Sequence, residues 1–93
     1  MKVTVEQIHD GDPMAFAVVV ENRGRDSHHR VSMSQASYEK YTGGKVSPTD
    51  CVRAAFKFLL ERESPDQILA SFDINVIQMY FPNFERDFPE YLG

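Results

Sequence analysis

MAFAVVVE, residues 14–21, is the stretch on which the reading of this chain turns. Met14, Phe16, Val18 and Val20 fall on one side of an extended segment, and Ala15, Ala17 and Val19 on the other. That is the period-two pattern of a β-strand. Small apolar residues on the second side predict a central strand, covered or closely approached on both faces.

The flanks support a sheet. Upstream, KVTVEQI (2–8) alternates through Val3 and Val5, and His9-Asp10-Gly11-Asp12-Pro13 gathers turn formers. Downstream, ENRGRDSHH (21–29) reads as a polar loop, and HRVSMS (29–34) alternates again through Val31 and Met33. Consecutive strands with short links usually pair, so an antiparallel meander of order 1-2-3 is predicted.

From Ser34 the period changes. Ser34 can cap a short helix over QASYEKYT, stopped by Gly43-Gly44. Ser47-Pro48-Thr49-Asp50 then supplies an N-cap serine, a proline at the first helical position and an acid at the positive helix end. The helix it opens repeats Val52, Ala55, Phe56, Leu59 and Leu60 at i, i+3, i+4, i+7 and i+8, an amphipathic stripe. Ser64-Pro65-Asp66-Gln67 repeats the start signal, with Gln67 in the capping-box position, and predicts a helix carrying Ile68, Leu69 and Phe72. A further turn or two over INVIQMYF, re-capped by Asp73, would point Val76, Ile77, Tyr80 and Phe81 inward before Pro82 ends it. The expectation is a two-layer α+β fold. A three-stranded antiparallel meander (1–34) is followed by a short helix, an amphipathic helix and a C-terminal helical segment (35–93), packed on one sheet face.

At 93 residues, 42% hydrophobic and 26% charged, the chain has the composition of one ordinary globular domain. Its longest apolar run, Met14 to Val20, is far short of the roughly 18 residues a membrane span needs. The opening MKVTVEQIHD runs straight into alternation, so no secretory leader is expected and the cytoplasm is the default compartment. A single cysteine, Cys51, excludes an internal disulfide and a cysteine-based zinc site. The net charge of −4 is uneven. Residues 61–93 carry two Lys/Arg against seven Asp/Glu, which disfavours phosphate tracking there.

Motifs for chemistry are weak. His9, Asp10, Asp12, His28 and His29 lack metal-ligand spacing, and adjacent strand histidines point to opposite faces. Cys51 lies in the first turn of a helix, where the dipole lowers a thiol pKa, yet no catalytic signature surrounds it. Gly43-Gly44-Lys45 lacks the spacing of a phosphate loop. No enzyme, metal or cofactor is expected.

Two surfaces remain. The closing MYFPNFERDFPEYLG holds Tyr80, Phe81, Phe84, Phe88 and Tyr91, five of the eleven aromatics. They form either a clasp on the core or, through Phe84, Phe88 and Tyr91, an interface. The basic residues Arg23, Arg25, His28, His29 and Arg30 offer a polyanion site on a hairpin loop.

S-x-S-x-x-x-Y-x-x-Y-T-G-G-K-V-S-P (Ser32–Pro48), F-L-L-E-R-E-S (Phe58–Ser64) and F-D-I-x-V-I-x-x-Y-F-P-x-F-E (Phe72–Glu85) resemble short bacterial proteins of unknown function. The resemblance spans about the C-terminal two-thirds and implies a bacterial, cytosolic protein with no catalytic residues to carry over. A looser similarity is to antitoxins of the HicB family, although the strand-helix-strand run of that family is missing. The leading expectation is a small non-enzymatic module that binds another protein or itself, as a homodimer through sheet edges or the aromatic tail. The alternative is an antitoxin-like, nucleic-acid-linked regulator using loop 23–30.

Overall fold

A computed structural model describes residues 1–92. Its four-stranded sheet runs in the order β1 (Lys2–His9), β2 (Met14–Asn22), β3 (Arg25–Met33) and β4 (Ser71–Asp73). The first three strands are the antiparallel meander, and β4 joins β3 in parallel. Helices α1 (Gln35–Thr42), α2 (Pro48–Leu60), α3 (Asn75–Tyr80) and α4 (Phe84–Asp87) complete a two-layer α+β fold, with single 3-10 turns at Pro65–Gln67 and Phe88–Tyr91.

The core forms where the two periodicities meet. Met14, Phe16, Val18 and Val20 of β2 are buried, as are Val52, Ala55, Phe56 and Leu59 of α2. Local signals fix the helices. Ser34 accepts from Ser37 N at 3.0 Å, and Gly43 ends α1 in the left-handed region at φ 64°. Ser47 accepts from Asp50 N at 3.1 Å, with Pro48 opening α2.

Residues 21–29 are not a loop. β2 and β3 continue to a two-residue turn in which Arg23 (φ 54°) and Gly24 (φ 80°) both have positive φ, the primed geometry that matches strand twist. The apolar alternation that marks a strand is hidden here because its inward positions are polar, Ser27 and His29. His29 is nonetheless buried. Its Nδ1–H donates to Leu69 O at 2.8 Å, and Ser27 Oγ lies 2.8 Å from Nε2.

The helix expected from Pro65 stops after one turn. The capping box forms, with Gln67 Oε1 accepting from Ser64 N at 2.9 Å, but Ile68 is already extended. The competing partner is the bare edge of β3. Arg30 N donates to Ala70 O at 2.7 Å, Ile74 N to Ser32 O at 2.9 Å, and Ser32 Oγ to Asp73 Oδ2 at 2.8 Å. Tertiary pairing therefore outweighs a local start signal. Nor is β2 covered on both faces: Thr4, Glu6, His28 and Arg30 are exposed on the outer side. Ala17 is half-buried there because it sits in register between Glu6 and Arg30.

From Phe84 onward the aromatic tail packs into or onto the core. Phe84 and Phe88 are fully buried, with ring centroids 4.7 Å apart, and Phe84 packs on Phe58 at 4.9 Å. Tyr91 is half-buried on Phe58 at 5.6 Å, and its hydroxyl donates to Glu61 Oε1 at 2.9 Å. Arg62 stacks 3.7 Å from the Phe58 centroid and donates to Tyr91 Oη at 3.2 Å. The Cα radius of gyration, 12.2 Å, is the roughly 12 Å expected of a compact chain this long.

Candidate protein-binding groove

The turn from α2 into β4 leaves a depression. Leu59, in the last turn of α2, lines it; Ile68 and Phe72 come from the extended segment, and Val76, Ile77 and Tyr80 from α3. Its volume is about 160 Å³, and Glu63 is the one charged residue in its lining. Phe72 packs against Phe56 at 6.1 Å, tying the wall to the core. The Leu69 carbonyl is held by His29, so the wall rests on a buried contact.

The rim is apolar and wet. Leu69 and Tyr80, which line the groove, are 47% and 67% exposed, and Met79, outside the lining, is 79% exposed. Val76, Met79 and Tyr80 stand at i, i+3 and i+4, so α3 turns them to one side while Ile77 faces inward. Tyr80 thus points outward, against the sequence expectation. A six-residue helix has one inward stripe, and in the sequence NVIQMY that stripe already holds Ile77.

The tail residues Phe84, Phe88 and Tyr91, the predicted interface, are spent on the chain's own core. Two X-Pro breaks, at Phe81-Pro82 and Phe88-Pro89, fold the tail back onto α2 instead of projecting it. The five basic residues are dispersed. His28 and Arg30 lie on the outer sheet face and His29 on the inner one, while Arg23 sits in the turn. Arg25 opens onto a separate polar cleft shared with Asp26 and Asp66, whose carboxylates work against an anionic ligand. They do not make one basic surface.

A second polar cluster joins two of the motif stretches quoted above. Asn75 Nδ2 donates to Ser37 Oγ at 2.8 Å and to Asp73 Oδ1 at 3.0 Å, and Tyr41 Oη donates to Asn75 Oδ1 at 2.8 Å. These groups satisfy one another, an arrangement that fixes α1 against α3. Burial, then Glu85 and Asp73, raises the Tyr41 pKa.

Cys51 is fully buried, and desolvation pushes its thiol pKa up to about 12. Its sulfur lies 3.6 Å from Met33 Sδ. The helix dipole does not produce a thiolate because burial outweighs it. His9 is exposed, and Asp12 accepts from Gln35 N at 3.1 Å, leading the chain into α1. Among the described residues no helix is long and apolar enough to cross a membrane.

No family model, curated protein or solved structure matches this chain.

Sequence reasoning missed the groove by assigning 68–72 to a helix. The available signal was the surplus of apolar residues from Ile68 to Phe81, more than short helices can turn inward.

Proposed function

We propose that the chain is a protein-interaction module whose groove takes one large apolar side chain of a partner, next to a Lys or Arg. The observation that carries this reading is the exposed Leu69 and Tyr80 lining a groove whose sole lining charge is Glu63. Size favours an anchor residue. A cavity of about 150 Å³ holds a benzene-sized group, whereas pockets for whole small ligands run from about 300 Å³ upward. Charge selects a basic flank, since seven acids against two bases in residues 61–93 repel an acidic partner.

Selection from a library of displayed random peptides tests the proposal. The expected winners carry a Leu, Ile or Phe beside Lys or Arg, and bind with contacts mapped by NMR to Leu69, Val76 and Tyr80. Binding should weaken about tenfold or more on Tyr80→Ala, in line with aromatic hot spots, and fall on Glu63→Lys. Winners that are acidic, or that bind equally well to both variants, would overturn it.

A further inference from the structure

The two edges of the sheet are treated differently, and the exposed one is self-complementary. β4 covers β3 at Arg30–Ser32, while β1 pairs only with β2 among the described residues. Edge strands are normally blunted by proline, charged side chains, bulges, inward charges or a covering segment. β1 has Lys2 and Glu6 on its outer face and a bulge at its far end, between Gln7 and His9. Lys2–His9 contains no proline, and its inward positions, Val3, Val5 and Gln7, carry no charge. Val3 is only partly buried.

From this edge we infer that β1 binds β1 of a second copy, antiparallel across a two-fold axis at Thr4. Opposed residues in an antiparallel pair share a face, so a symmetric pairing must centre on a single residue. Centring on Glu6 opposes Glu6 to itself, and centring on Val5 sets Lys2 against Ile8. Centring on Val3 pairs only the three residues Lys2–Thr4, against five for Thr4. Centring on Thr4 sets Lys2 opposite Glu6 of the second copy, twice, on the outer face, and Val3 opposite Val5, twice, on the inner face. The β-bulge between Gln7 and His9 ends the regular ladder where this register ends. Charge and apolar surface are both matched in that register alone.

The pairing uses a different surface from the groove, so the two readings fail separately. Light scattering on the intact chain across a concentration series should show a dimer. Lys2→Glu and Glu6→Lys, each placing like charges opposite one another, should each weaken it about tenfold or more. The double variant should restore it, and an equimolar mixture of the two single variants should give a heterodimer. Thr4→Cys should crosslink across the axis on mild oxidation, because directly opposed strand residues lie within disulfide range. Glu6→Cys should not, and buried Cys51 stays out of the reaction. Thr4, Lys2 and Glu6 are exposed, so the variants keep the fold. A wild-type chain monomeric at all concentrations overturns the inference. So does a dimer indifferent to both charge reversals whose Thr4→Cys form does not crosslink.

Discussion

The β3 edge and the β1 edge bound the same sheet, yet one is sealed and the other bare. At β3 a three-residue strand brings backbone bonds, the Ser32–Asp73 bond, the His29–Leu69 bond and the Phe72 ring against Phe56. At β1 nothing in the described chain does the same. The seal lies beside the groove and shares Leu69 and Phe72 with it. Closing one edge thus also built the recess.

Perturbing the core that underlies both edges should weaken them together. The fold keeps the Cys51 thiol protonated to about pH 12, whereas the unfolded chain loses that proton near pH 8.5. Over that interval the unfolded state holds fewer protons, so stability falls as pH rises, with Tyr41 acting in the same direction at higher pH. The loss from Cys51 is on the order of 4 kcal/mol by pH 12, at 1.36 kcal/mol per unit. Urea midpoints measured across this range should fall, and Cys51→Ala should make the fall shallower.

The sealed edge breaks more selectively. Phe72→Ala should cost about 3 kcal/mol, the low end for Phe→Ala because the ring is only half-buried. It should also raise hydrogen exchange at Arg30 and Ile74 while leaving β1–β2 amides protected. His29→Ala should cost about 2 kcal/mol by stranding the Leu69 carbonyl, read from the same urea midpoints. At the bare edge, Lys2→Glu in dilute protein should move stability by less than ~0.5 kcal/mol, as surface changes do. A larger effect there would mean that the β1 edge carries contacts of its own.

The meander, α1 and α2 were legible in the sequence because periodicity and caps agreed there, from Val3 and Phe16 to Ser34, Ser47 and Pro48. The seal was not. Ser64 and Gln67 make a genuine start signal, and only the distant edge of β3 decides that Ile68 extends instead. The groove was lost with it, since its walls, Leu69 and Phe72, were assigned to that helix. From sequence alone the tail fits either clasp or interface, because aromatics suit both. Phe58 on α2 and Arg62 just past its end settle it, and neither is near the tail in sequence.

Ser32 and Asp73 are 41 residues apart, and this separation has a consequence during synthesis. At roughly 5–20 residues per second, the meander spends some seconds with both flanks uncovered before Asp73 is made. In that window its second flank is a template for neighbouring nascent chains. A fragment ending at Leu60 should therefore aggregate at concentrations where the whole chain stays dispersed, as turbidity would report. The three residues of β4 then act as a late stopper, and they set the moment at which a newly made copy stops being a hazard to the next.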